Sequence, residues 1–302
     1  MNTFTRAQLA QRGVTDSDIR RLVGEGSLAR VRRGDYLDTS TRPVPQFEDR
    51  HRILVQATWP RLHSGVLSHH SAAALHGLPL PSHDLGRVHV TRVGDAGGVR
   101  RASVQVHRAR LDDVEVTEVD GLPVTTLERT AADLARILTP DRGLVVVDAA
   151  LRQGADPVLL AEIVEMQGRM TGAPRARAIV ALGDPLAESA GESRSRWFMH
   201  EFNLPVPVLQ FWVVDSQGNR IGRADFAWPD LGVLGEFDGW VKYGRLLKPG
   251  QQLSDVLRDE RFREQRMRTQ GWWVHRWTDP GLRVPAVWSK ELEQALRSGR
   301  PR

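Results

Sequence analysis

The run Arg220–Gly239, RIGRADFAWPDLGVLGEFDG, decides how the last third of the chain folds. Arg220–Trp228 is extended, Pro229-Asp230-Leu231-Gly232 is a turn, and Val233–Asp238 returns, the pattern of a β-hairpin. Alternation places Ala224, Phe226 and Trp228 on one face and Arg223, Asp225 and Ala227 on the other. Pairing Trp228 with Val233 across the turn sets Asp225 directly opposite Glu236. Opposed residues have Cβ atoms roughly 4.5–5.5 Å apart, and like charges there are destabilising. A hard divalent cation held between carboxylate oxygens relieves the repulsion. A slipped register, or two carboxylates on a solvated edge, avoids it. The same register sets Asp238 opposite Arg223, as a cross-strand ion pair.

The rest of the chain is bounded by its composition. A length of 302 residues corresponds to about two or three domains. Hydrophobic residues make up 40% and charged residues 26%, the balance of a globular protein. No run approaches the roughly 18 apolar residues of a membrane span, and the start MNTFTRAQLAQR has no signal-peptide core. Cysteine is absent, which excludes disulfides and thiolate metal sites and leads us to expect a cytoplasmic protein. The net charge of +5, carried mostly by arginine, suits a polyanionic partner. The partner is expected to be DNA, with no membrane.

At the start, Thr5 caps a helix over Arg6–Arg12 that Gly13 stops. Thr15 or Asp16 caps a second, with Ile19, Leu22 and Val23 on one face and Arg20 and Arg21 off it. Two short strands follow, Leu28–Val31 and Gly34–Leu37, turned at Arg32-Arg33-Gly34. Helix, turn, helix and basic hairpin outline a winged helix-turn-helix. In that arrangement the second helix, with Arg20 and Arg21, enters a major groove, and Arg30, Arg32 and Arg33 meet phosphates. Winged modules also serve as protein-docking domains.

These residues, TRAQLAQRGVTDSDIRRLVGEGSLARVRRGDYL (Thr5–Leu37), resemble the N-terminal domain of the AbiEi family, antitoxins and autorepressors of type IV toxin–antitoxin systems. The resemblance continues through LSHHSAAALHGLPLP (Leu67–Pro81) and GLPVTTLERTAADLAR (Gly121–Arg136). It implies a helical and β-hairpin domain behind the winged module, and a cognate toxin or other defence protein as a further partner.

The residues of that middle region read the same way. Ser68 caps Ala72–His76, with Gly77 as the stop. Val88–Arg92 and Ser103–Arg108 alternate as strands around the loop GDAGGVR, Thr125 or Thr126 caps a helix through Ile137, and Leu144–Arg152 is apolar and helical. The histidines at 63, 69, 70, 76, 83 and 89 suggest a metal. Adjacent helical residues such as His69 and His70 diverge by about 100°, however, and no carboxylate stands at ligand spacing, so capping and packing are expected. Gln167–Arg177 reads as a connection.

In the last region, Asp184-Pro185 begins a helix that runs to about Phe202 and carries Glu188 and Glu192 on one face. Val206–Val214 is a strand and Asp215–Asn219 a turn into the hairpin. A loop over Trp240–Leu253 carries Lys242, Tyr243, Arg245 and Lys248. Ser254 caps a helix with arginines at 258, 261, 263, 266 and 268, and Trp272–Trp277 is a final strand. This order resembles the core of PD-(D/E)XK nucleases, on the branch of the very-short-patch-repair endonuclease. The motifs that carry the likeness are Glu192-Ser193…Arg196, Arg223-Ala224-Asp225-Phe226-Ala227-Trp228-Pro229, Glu236-Phe237-Asp238-Gly239 and Gly271-Trp272-Trp273-Val274…Arg276-Trp277. The resemblance implies Mg²⁺-dependent (or Mn²⁺-dependent) DNA phosphodiester hydrolysis. Asp225 and Glu236 would hold the metal, Glu192 would reach it directly or through water, and Arg258, Arg261 and Arg266 would lie along phosphates. The pattern's lysine is missing: Asp238 stands in its place, and Lys242 is the nearest replacement.

The expectation is a mixed α/β multidomain chain: a winged helix-turn-helix over 1–40, a middle α+β domain over 41–180, and a restriction-endonuclease-like α/β domain over 181–302. Two functions are open. One is a metal-dependent endonuclease targeted by the winged module, in phage defence or a toxin–antitoxin-like system, with Glu192, Asp225, Glu236, Asp238 and Lys242 at its site. The other is a non-enzymatic AbiEi-like antitoxin and autorepressor whose nuclease fold is degenerate.

Overall fold

The computed structural model describes residues 3–40, 47–62, 64–80, 85–94, 99–100, 103–239 and 253–299. The chain is mixed α/β and forms two compact units. One comprises residues 1–138 and 155–177, the other residues 139–154 and 178–302.

The first unit opens with β1 (Thr3–Thr5), α1 (Arg6–Gln11), α2 (Asp16–Gly24) and the hairpin β2 (Leu28–Arg32) and β3 (Asp35–Asp38). Both helices start in capping boxes, Thr5 with Gln8 and Thr15 with Asp18, which satisfy the orphan amides of their first turns. Gly34 makes the hairpin turn at φ +85°, a conformation that costs other residues a Cβ clash. β1 was not expected from sequence. It pairs antiparallel with β3, giving the order β1-β3-β2, and Leu9, Ile19 and Leu28 form the small core beneath.

Next come α3 (Phe47–Thr58), β4 (Val66–Leu67), α4 (His69–His76), β5 (Val88–Arg92), β6 (Val99–Arg100), β7 (Val104–Arg108), β8 (Val116–Val119), β9 (Leu122–Thr125) and α5 (Leu127–Ile137). The strands form a mixed sheet in the order β6-β7-β5-β4-β9-β8. Leu54 and Val55 of α3 and Ala72 and Leu75 of α4 pack on its valines, Val88, Val90, Val104, Val106 and Val124. The chain leaves this unit for α6 (Pro140–Arg152) and returns as α7 (Pro157–Met166). Gln167–Arg177 is no mere connection: α8 (Ala173–Ala181) begins within it.

The second unit contains α6, α9 (Ala190–Glu201), β10 (Val208–Val214), β11 (Arg220–Trp228), β12 (Val233–Asp238), α10 (Leu253–Thr269), β13 (Trp273–Thr278) and α11 (Pro285–Ser298). The first helix begins later than Asp184-Pro185 suggests, because Ser189 is its cap. Glu188 therefore lies outside it. Strand order is β10-β11-β12-β13, antiparallel except for the parallel pair β12–β13 that α10 connects. Trp228 pairs with Val233, as the hairpin reading requires. On one face Phe226 and Trp277 pack with Phe198 of α9 and Trp288 of α11, and Trp277 Nε1 donates to Ser195 Oγ at 2.8 Å. On the other, Val213, Leu234 and Val274 pack under Met267 of α10. Gly191 lets α9 approach the sheet: a Cβ there would lie 1.9 Å from the ring of Phe237.

Candidate functional site

Of the carboxylates singled out by sequence, Asp225, Glu236 and Asp238 lie on the sheet of the second unit and Glu192 in the first turn of α9, and each is already engaged. The β11–β12 ladder runs from Trp228↔Val233 to Phe226↔Gly235. At the next step the Asp225 carboxylate accepts the Phe237 N–H at 2.8 Å. Asp225 therefore extends the ladder through its side chain. Glu236 is buried, and its compensating charge is supplied by arginine. Arg263 Nη2 of α10 lies 3.1 and 3.2 Å from its two oxygens, and Arg276 Nη2 of β13 lies 2.7 Å away. Burial pushes the Glu236 carboxyl above the ordinary range; Arg263 and Arg276 pull it back, and Asp225 and Asp238 push it up again.

Glu192 is likewise a structural acceptor. It takes the Glu188 N–H at 2.9 Å, the Ser189 hydroxyl at 2.7 Å and Gln210 Nε2 at 2.8 Å. Those bonds close the start of α9 in the manner of a capping box. Burial, then Asp225, raises its carboxyl. Asp238 does not pair with Arg223. Its partner is Arg276 at 3.2 Å, while Arg223 pairs with Glu188 at 2.7 Å. The reason is the parallel register of β12 and β13, which sets Glu236 beside Arg276. Lys242, with Tyr243, Arg245 and Lys248, lies outside the described residues.

This donor set does not fit a hard cation. Both oxygens of Glu236 face guanidinium groups and both oxygens of Glu192 accept capping bonds. Among the described residues no group of three or more histidine, aspartate or glutamate side chains could hold a metal ion.

The proposed nucleic-acid contacts divide into two kinds. Arg20 and Arg21 are exposed on α2. Arg20 reaches the Asp16 carbonyl at 3.2 Å, and Arg21 forms local pairs with Asp18 and Glu25. Arg30 and Arg33 are exposed at the hairpin. Arg32 is held inward: Nε lies 3.3 Å from the buried Asp35, and Nη1 donates to Thr58 Oγ1 at 3.3 Å. In the second unit Arg258, Arg261 and Arg266 are exposed on α10.

The histidines expected from sequence to pack do so: His69 and His70 of α4 and His89 of β5 are buried together, and His107 of β7, which the sequence did not single out, is half-buried beside them. The rings of His69 and His107 stack at 3.6 Å, and His89 Nδ1 lies 3.0 Å from His107 Nε2. His70 approaches His89 at 4.9 Å. The adjacent pair shares one cluster because His69, at the first position of its helix, takes φ +51°. Beside it Arg129 donates to Glu115 at 2.7 Å and to Asp133 at 3.1 Å, all three buried.

Residues 1–37 match a family described as "Transcriptional regulator, AbiEi antitoxin", and residues 63–184 match "AbiEi antitoxin C-terminal domain". Two uncharacterized proteins of Mycobacterium tuberculosis, MT2308 of strain CDC 1551 and Rv2248 of strain H37Rv, are each 31% identical over 196 residues. The match spans 64% of this chain and 69% of theirs. The crystal structure of RV2827C protein from Mycobacterium tuberculosis aligns over 71% of this chain and 84% of that one, with 17% identity and a TM-score of 0.37. The expectation of an endonuclease is corrected by these matches: the matched domains are those of an antitoxin and transcriptional regulator, not of a nuclease. The arginine-occupied carboxylates agree with that correction.

Proposed function

Because the chain belongs to the AbiEi antitoxin family, we propose that it is a DNA-binding transcriptional regulator that represses its own promoter and neutralises a cognate toxin in the cytoplasm. The observation that carries this reading is the match of residues 1–37 to a regulator domain, folded as two capped helices and a hairpin with exposed arginines. The module is a winged helix-turn-helix in which α2 enters a major groove and the β2–β3 turn meets the backbone. Arg20 and Arg21 belong to the first contact, Arg30 and Arg33 to the second.

The second unit is a restriction-endonuclease-like scaffold that has lost its chemistry. In support, its elements run helix, three antiparallel strands, helix, parallel strand. Guanidinium groups stand where a cation would be needed, and Asp238 stands where the pattern has lysine. No helix among the described residues is long and apolar enough to cross a membrane.

The test is binding to DNA upstream of the protein's own coding region against scrambled DNA of equal length, with a promoter reporter in parallel. The reading expects selective binding, lower reporter output, and loss of both in Arg20→Ala with Arg33→Ala. Equal affinity for both DNAs with unchanged reporter output would make the module a protein-docking domain. Co-purification of a toxin encoded beside the gene tests the second half.

A further inference from the structure

The outward face of α10 lies beyond both ranges matched by the antitoxin models. Met267, fully buried, anchors this helix on the sheet, and Arg263 ties it to Glu236. At 100° per residue the opposite arc carries Arg258, Arg261, Phe262, Gln265, Arg266 and Arg268. The arginines and Gln265 are exposed. So is Phe262, at 58%. Arg268 pairs with Glu264 at 2.7 Å, which is ordinary for a solvated helix face. Phe262 sets an exposed aromatic ring among these arginines.

An aromatic ring set among arginines serves one kind of ligand well. Guanidinium groups take backbone phosphates, and the ring stacks on a base. Stacking needs a base whose face is open, so a regular duplex cannot use Phe262. From Arg258 to Arg268 the face extends about 15 Å along the helix axis, long enough to follow a short stretch of one strand. We propose that this face of α10 binds single-stranded nucleic acid, with Phe262 stacked on a base and Arg261 and Arg266 on the flanking phosphates. The site is distinct from the duplex contact of the first unit and does not depend on it.

The experiment titrates the full chain into labelled oligo(dT), oligo(U) and a duplex of equal length, by fluorescence anisotropy over a range of KCl concentrations. Wild type is expected to bind the strands, and the preference between oligo(dT) and oligo(U) tells whether the natural strand is DNA or RNA. Phe262→Ala should weaken strand binding by about 5- to 100-fold, leaving duplex binding and the salt slope unchanged. Phe262→Tyr, which keeps the ring, should retain affinity. Arg261→Gln with Arg266→Gln should flatten the slope of log K against log salt by about 0.7 per lost contact. Arg33→Ala should affect only the duplex, so failure of the operator reading registers separately. The proposal is overturned if wild type does not bind the strands, if Phe262→Ala binds them as wild type does, if it weakens strand and duplex equally, or if Phe262→Tyr loses as much as alanine.

Discussion

Arg263 Nη2 on α10 lies 3.1 and 3.2 Å from the two carboxylate oxygens of Glu236 on β12, and this contact ties the helix to the sheet. Arg276 shares the load through Glu236, Asp238 and Glu264. Removing one partner of a buried ion pair leaves an uncompensated charge, which costs about 3–5 kcal/mol when nothing else compensates. Here a second guanidinium remains, and Arg263 is partly exposed. Arg263→Ala is therefore expected to cost about 1–2 kcal/mol and Arg276→Ala more, in urea unfolding. Equal and negligible costs would make the pairs incidental.

Asp225 is expected to behave as a structural acceptor. Asp225→Ala removes the acceptor for the Phe237 N–H and should destabilise by about 1–3 kcal/mol. Asp225→Asn keeps an acceptor oxygen and removes a negative charge that acts on Glu192 and Glu236. It should cost clearly less. Thermal melts of the two variants decide the matter, and an asparagine variant as damaged as the alanine one would show that the charge itself is needed.

The hairpin register was legible because alternation and a local turn fix it, and the caps at Thr5 and Thr15 were legible because they are written within a few residues. The sequence reading brought Asp225 and Glu236 to the same hairpin, and the buried Glu236 does meet positive charge. What supplies that charge was not legible. Arg276 reaches Glu236 through a parallel pairing set by the crossover, which no local pattern encodes, and Arg263 was hidden among the arginines of its helix. The same limit hid β1, three residues that pair with a strand thirty positions on. It also hid His107 of β7, which joins the histidines of α4 and β5 in one cluster. The α8 helix was missed for a different reason, since Pro174 and nearby glycines mimic a loop although Pro174 sits at the second residue of the helix.

That cluster should make the first unit acid-sensitive. Burial, then the neighbouring histidines, holds His89 down to about 2, and burial, then Arg136, holds His107 down to about 4; His51 and His69 are lowered too. A histidine whose folded value lies below 6.5 takes protons more readily when unfolded. Its contribution is therefore present above about pH 6.5 and is lost as pH falls toward the folded value. His89 and His107, which share a hydrogen bond, both contribute over that window. Asp133, raised mainly by burial, acts in the opposite sense, as do Asp148, Glu192 and Glu236 of the second unit, and they offset part of this. Urea unfolding at stepped pH should lose stability from about pH 6.5 to 4, and His107→Gln should flatten the slope. A flat wild-type profile would mean that the cluster accepts protons without unfolding.

Two adjacent arginines of the β2–β3 hairpin should fail in different assays. Arg33 is exposed at the turn, whereas Arg32 reaches the buried Asp35, which Arg61 also holds at 2.8 Å. If the turn meets DNA phosphates, Arg33→Ala removes a counterion-releasing contact. The slope of log K against log salt should then flatten by about 0.9, with the melting temperature unchanged. Arg32→Ala should leave that slope alone. It takes away a partner of Asp35 and the bond to Thr58, at a cost of about 1–3 kcal/mol in unfolding. Salt titrations and melts on the same two variants separate the roles. A salt slope that responds to Arg32→Ala but not to Arg33→Ala would mean that the hairpin opens on binding, so that the inward arginine is the one that meets DNA.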